Sequence, residues 1–187
     1  MKRLADFLQS KIVIDKLDLD IILSLFKSRE VKKGQLILKR GQVAHQYYFI
    51  DSGALRFFFG EFEEQQTAWL VFQNEFFSEI SSLSPQKPTR FNIEAIEDTR
   101  LIYIDMADME ILYKRFPAWQ EFGRKLWEAM AARMIDQILN FQTLSAEERY
   151  LNLISNSKVA QTVSVKQIAS YLGITPNALS RIRKNIK

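Results

Sequence analysis

Cysteine is absent from this sequence, and histidine occurs once, at His45. The missing thiols exclude disulfides, thiolate metal sites, cysteine-ligated iron–sulfur clusters and a cysteine nucleophile. With a single imidazole there is no multi-histidine metal site, and a Ser-His-Asp triad would have to use His45. Long apolar runs are missing as well. Nothing approaches the roughly 20 residues that span a bilayer. The opening segment, Met1-Lys2-Arg3-Leu4-Ala5-Asp6, starts basic, but an acid and then Lys11 interrupt the apolar stretch, so it does not read as a signal peptide. A cytoplasmic location, no membrane partner and no enzymatic activity are the expectations.

What is present is an uneven charge. The formal net charge is +4. From Ser145 onward Arg149, Lys158, Lys166, Arg181, Arg183, Lys184 and Lys187 face only Glu147 and Glu148, and no acid follows. The rest of the chain is near neutral. A basic load at one end is the electrostatic footprint of phosphate-backbone binding, and equally of a solvated basic surface.

Four textures follow one another. Up to residue 30 the spacing is helical: Leu17, Ile21, Ile22, Leu25 and Phe26 fall on one face, with Asp15, Asp18 and Asp20 near the start, where a helix dipole favours acids. Residues 31–105 hold short runs rich in aromatic and branched residues. Strands are expected at Leu36–Leu38, Tyr47–Ile50, Ala54–Phe59, Thr67–Phe72 and Leu101–Ile104. Turn signals at Lys33-Gly34, Arg40-Gly41 and Asp51-Ser52-Gly53 separate them, the last expected as a hairpin with Gly53 at positive φ. Many short strands without intervening helices suggest a barrel, sandwich or roll. After Pro117, Trp119, Phe122, Leu126, Met130, Met134, Ile138 and Phe141 recur every three or four residues. They mark one helix of about 25 residues with an apolar stripe. Such a stripe must be buried, either against the chain's own sensor domain or against the same helix of a second copy; a dimer interface is the expected one.

The last stretch carries explicit helix signals, and three short helices are expected. Ser145 with Glu148 and Ser164 with Gln167 are capping boxes. Gly173 is a left-handed C-cap. Thr175 caps the last helix, and Pro176 takes its first turn, where a missing N–H costs nothing. Within Gln167–Arg181 the small Ala169 lets two helices cross closely, Gly173 permits a tight turn, Ile174 plugs the angle, and Leu179 and Ile182 anchor the second helix. This is the specification of a helix-turn-helix, whose second helix enters the major groove of duplex DNA. Pro176, Asn177, Ser180, Arg181 and Lys184 then point outward. Asn177 suits adenine and Arg181 guanine, each in bidentate fashion, while Ser164, Thr175, Arg183 and Lys184 suit phosphates.

The order of parts, with the motif Ile168–Pro176 followed by Leu179–Lys184, resembles the Crp/Fnr family of transcription regulators. It is similar to the short-tailed members found in Bacteroidetes-type bacteria. The resemblance implies an α+β chain: a double-stranded β-roll of the cyclic nucleotide-binding, cupin-like kind, a long dimerisation helix and a C-terminal helix-turn-helix. The expected division is a roll over 1–117, a long helix over 118–144 and a DNA-binding unit over 145–187. The family implies a homodimer on a near-palindromic DNA site, with RNA polymerase as a further partner. A cupin-type enzyme would need several histidines, so His45 reads as an ordinary turn or surface residue.

Three departures from the family bear on the effector. The wing that follows the recognition helix is expected to be missing, since the sequence ends at Lys187. The family's phosphate-binding cassette, Phe-Gly-Glu-Leu followed by Arg-Ser/Thr-Ala, is matched by Phe77-Ser78-Glu79-Ile80 and Thr89-Arg90-Phe91. Glu79 stands at the ribose-binding position. Ser78 replaces a glycine that permits close backbone approach. Thr89 stands at the phosphate-binding arginine, Arg90 falls one residue later and so on the opposite strand face, and Phe91 replaces a small residue. Finally, Met134 and Ile135 occupy positions where the family's long helix offers hydroxyls to the purine. The candidate pocket is therefore Ser78, Glu79, Ile80, Thr89, Arg90, Phe91 and Met134. Cyclic nucleotide is not the expected ligand; an apolar or mixed effector, or none, is. The alternative to a regulator is a ligand-binding or interaction module that has lost strong DNA binding.

Overall fold

The computed structural model describes every residue except 62, 63, 156 and 187. Two short helices, α1 (Lys2–Gln9) and α2 (Lys16–Ser24), lead into eight strands. The strands are β1 (Lys27–Val31), β2 (Leu36–Leu38), β3 (Gln46–Ser52), β4 (Ala54–Phe59), β5 (Gln66–Phe72), β6 (Phe76–Phe77), β7 (Asn92–Ala95) and β8 (Thr99–Asp105), with the one-turn helix α3 (Ile80–Leu83) after β6. They form two antiparallel four-stranded sheets, ordered β1-β8-β3-β6 and β2-β7-β4-β5. Helices α4 (Met106–Arg115) and α5 (Pro117–Thr143) follow, then α6 (Ala146–Ile154), α7 (Ser157–Thr162), α8 (Val165–Leu172) and α9 (Pro176–Asn185).

Alternation along β4 and β5 explains why these strands are apolar on both faces. Leu55, Phe57 and Val71 face the main core between the sheets, with Trp69 packed against it. Ala54, Leu70 and Phe72 face a second core, which they share with Tyr150, Val159, Ile168, Ala169, Leu172 and Leu179 of the C-terminal helices. The second sheet is thus covered on its outer side by the helix-turn-helix.

Four expectations are corrected. Gly53 does have φ +97°, but Asp51-Ser52-Gly53 is not a hairpin, because β3 and β4 lie in different sheets. It is a corner where the chain changes sheets. Only glycine fits there: a Cβ would stand 2.4 Å from Thr99 Oγ1. Leu17 does not join the helical face; it is 77% exposed on α2. The C-terminal region holds a fourth helix, α7, between the expected first and second. Trp119 and Phe122 belong to the protomer's own main core, at 0% and 1% exposure, and so cannot serve a dimer interface. Their rings pack on each other at 4.8 Å, and Trp119 meets Phe26 and Phe122 meets Phe76 edge-on. The close fit continues at Gly123, where a Cβ would come within 2.6 Å of the Tyr113 ring.

Past residue 130 the same stripe emerges into solvent. Met134, Ile138 and Phe141 are 51%, 55% and 43% exposed, and Trp127, Ile135 and Leu139 are exposed beside them. Positions 127, 131, 134, 138 and 141 alternate steps of four and three, the spacing of a coiled-coil seam.

Candidate functional site

Two places carry the chemistry: the C-terminal helix pair and the roll. In the helix pair local signals set the geometry. Ser164 and Gln167 form a reciprocal capping box at the start of α8. Gly173 ends that helix at φ 70°, ψ 30°, and the Ile174 N–H donates back to the Ala169 carbonyl at 3.0 Å, closing a Schellman-type turn. Thr175 then accepts from the Ala178 N–H at 3.1 Å and starts α9. Ile168, Ala169, Leu172 and Leu179 are buried between the two helices, with Ile174 and Ile182 packed on them.

Every residue expected to meet DNA lies on the outside. Ser164, Thr175, Pro176, Asn177, Ser180, Arg181, Arg183 and Lys184 are all exposed. Asn177, Ser180, Arg181 and Lys184 follow one another at three- and four-residue steps on one face of α9. Lys187, counted with the basic tail, lies outside the described residues. A rod end presenting donors and no carboxylate suits a groove lined with phosphates.

The pair is held in place by contacts that sequence reasoning missed. Ser170 Oγ of α8 accepts from the Thr67 N–H at 2.7 Å and donates to the Gln65 carbonyl at 3.0 Å, so it caps the open edge of β5. The Arg149 guanidinium donates to the carbonyls of Leu144 (2.9 Å) and Leu172 (3.2 Å) and lies 4.7 Å over the Phe141 ring. One side chain therefore ties the end of α5 to the end of α8. Arg56 is 4% exposed, donates to Thr67 Oγ1 at 2.8 Å, and lies 4.5 Å over Phe58. Burial lowers its pKa, and the Glu94 carboxylate at 4.0 Å opposes the shift. An arginine inside an apolar strand was the one visible sign of this covered surface.

The residues named as the candidate ligand pocket do not come together around one cavity. Ser78 Oγ donates to the Gln46 carbonyl at 3.0 Å. Glu79 is buried and caps α3, accepting from the Ser81 N–H and hydroxyl at 3.2 and 2.6 Å, while its other oxygen has no partner. Ile80 lines a shallow outer groove near Tyr113. Thr89 is buried, and its hydroxyl accepts from the Phe91 N–H at 3.0 Å. Arg90 is exposed, so the cation turns away from the interior. Phe91 packs edge-on to Phe57 and Phe59, with ring centroids at 6.3 and 6.0 Å. Phe57 meets Phe77, Phe77 stacks on Tyr48 at 5.3 Å, and Tyr48 and Tyr103 receive Arg29 at 5.4 and 5.3 Å. Aromatic rings pack against one another beside the cassette at Phe91, Phe57 and Phe77, and Arg90, its one cation, is exposed. The residues present do not fit a cyclic nucleotide. Met134 is exposed on α5, among the seam residues.

A separate cavity of about 210 Å³ lies where α1, β5 and β6 meet α5, walled by Phe7, Trp69, Phe77 and Met130. None of Ser78, Glu79, Thr89, Arg90 and Phe91 lines it. Arg133 closes one side, paired with Glu75 at 2.8 Å and 4.7 Å over Trp69.

Comparison with known proteins agrees with this architecture. Residues 28–116 match the cyclic nucleotide-binding domain family. The chain is 29% identical over 153 residues to a protein of Rhodopseudomonas palustris named as a potassium channel protein, covering 81% of this chain and 33% of that one. It is 29% identical over 132 residues to the cyclic AMP receptor protein of Thermus thermophilus, covering 70% of this chain and 59% of the relative. The chain thus spans only part of these relatives' length. Among solved structures, FixK2 from Bradyrhizobium japonicum superposes with a TM-score of 0.70 at 20% identity, over 86% of this chain and 84% of that one. Residues 28–116 are thus similar to the cyclic nucleotide-binding domain family, and the chain shares the fold of FixK2, a long helix and C-terminal helices included.

Proposed function

We propose that this chain is a homodimeric, DNA-binding transcription regulator acting in the cytoplasm. Its units are the roll (1–117), the long helix (118–144) and the helix-turn-helix (145–187). The reading rests on one observation: a capped, cationic helix α9 whose Asn177, Ser180, Arg181 and Lys184 all face solvent while its opposite side is anchored by Leu179. Asn177 and Arg181 read base edges, and Ser164, Thr175, Arg183 and Lys184 position the backbone. Two such heads, joined through Met134, Ile138 and Phe141 of paired α5 helices, place their recognition helices in successive major grooves about 34 Å apart. The roll's cassette serves as packed structure, and any effector enters elsewhere.

The test is selection of duplex sites from a random pool, followed by fluorescence anisotropy across a salt series. The expected result is a near-palindromic site whose log affinity falls linearly with log salt. Absence of any duplex binding at about 50 mM salt, where phosphate contacts are strongest, would overturn the reading.

A further inference from the structure

The cavity beside α5 is apolar in its walls and cationic at its rim. Lys11, Lys125 and Arg133 line it, and among the described residues Glu75 is the one lining acid. Lys125 is paired with Glu121, and its ammonium also donates to the Lys11 carbonyl at 2.8 Å. Among the described residues Lys11 has no carboxylate partner; its ammonium lies 5.6 Å over the Phe7 ring. Such a site suits a molecule with an apolar body and a single negative group. The walls offer little for a sugar or a purine to bond.

Arg133 is the element that connects this cavity to the DNA-binding unit. Besides Glu75 it donates to the Leu70 carbonyl of β5 at 3.3 Å. It also lines the second cavity, about 230 Å³, that α5 shares with Tyr171 and Leu172 of α8. Leu70 itself belongs to the core on which the helix-turn-helix sits.

We propose that this cavity binds a small apolar carboxylate, aromatic or medium-chain aliphatic, whose carboxylate takes Arg133 in competition with Glu75. The carbon body packs against Trp69, Phe77 and Met130, and Lys11 and Lys125 supply the attracting field. Because Arg133 also holds β5, its change of partner alters the seat of α8. This identifies the chemical class of effector and so rests on the reading of the chain as a regulator whose effector enters outside the cassette. Its test is a binding measurement made without DNA, so failure here and failure of the DNA-binding reading are separable.

The full chain is titrated calorimetrically with 1-naphthoate, octanoate and the uncharged isostere 1-naphthalenemethanol, with tryptophan fluorescence followed in parallel. Naphthoate is expected to bind at least about tenfold more tightly than the alcohol, the difference of roughly one charge-assisted hydrogen bond. Its fluorescence quenching should be lost in Trp69→Phe. Arg133→Gln should remove the preference for the acid over the alcohol. Glu75→Gln should raise naphthoate affinity severalfold by freeing Arg133, a gain that misfolding cannot imitate. Ala129→Trp, at the cavity mouth, should abolish binding of all three probes. The proposal is overturned if neither acid binds at millimolar concentration, if acid and alcohol bind equally, if Glu75→Gln weakens naphthoate, or if Ala129→Trp leaves binding unchanged.

Discussion

The two halves of α5 obey the same apolar period and meet opposite fates. Trp119 and Phe122 are sealed in the protomer's core, whereas Met134, Ile138 and Phe141 stand in solvent. Periodicity states that a stripe must be covered; it does not state by what. The roll decides. Its core takes in the stripe as far as Phe122 and Leu126, and beyond Met130 the apolar side chains are left largely exposed, with Trp69 of β5 reaching only Arg133 and the near edge of the stripe.

The contrast can be broken at either end. Trp119→Ala should cost about 3–5 kcal/mol of protomer stability, because a large ring leaves a cavity that its neighbours cannot refill. Chemical denaturation checks this, and the loss should not depend on protein concentration. Ile138→Asp should barely change unfolding of an isolated protomer, yet weaken self-association by at least about tenfold, or roughly 1.4 kcal/mol. Analytical ultracentrifugation across a dilution series reads that shift, and an unchanged dimer would remove α5 as the interface.

Beyond α5, helix α9 presents its own exposed face. Arg181→Ala should cost about 1–3 kcal/mol on the selected site and relax preference at one base pair. Lys184→Ala should weaken all sequences alike and lower the salt slope by about one. Anisotropy on matched and scrambled duplexes separates the two. Thr175→Ala, which removes only the cap of α9, should cost about 1 kcal/mol in thermal unfolding.

The smallest expected effect concerns acid. The Ser145 N–H and hydroxyl hold the Glu148 carboxyl below the usual carboxylate range. A depressed folded value means that the contribution is full above the unfolded pKa and is lost as pH falls through the folded one. The start of α6 should therefore loosen only as pH falls below the ordinary glutamate range. Hydrogen exchange at α6 should show that dependence in the natural chain and not in Glu148→Gln.

The parts of the fold that were legible in the sequence are those set by neighbours along the chain. Ser145, Ser164, Gly173 and Thr175 each make their signal within three or four residues, and each occupies the cap foreseen for it. The apolar strands were found for the same reason. Strand β6, with two residues, is too short to show a period, and β1 is a polar edge strand with little apolar signal. Strand β7, Asn92–Ala95, does alternate, so its pattern was readable and passed over. Contacts between distant segments were not readable at all. Arg149 bonds carbonyls, which every residue carries, so nothing in the sequence names its partners. The filling of the roll stood midway: Phe91 announced bulk at the phosphate position, but its meeting with Phe57 and Phe59 depends on pairing β7 with β4.

The Ser170 hydroxyl on β5 has one more consequence. Strand β5 has a single neighbour in its sheet, so its free side is a template onto which a foreign strand could add. The C-terminal helices act as its stopper. A fragment ending after α5 would leave that side bare together with Leu70 and Phe72, and such half-molecules should clump through strand-to-strand growth while the whole chain stays dispersed.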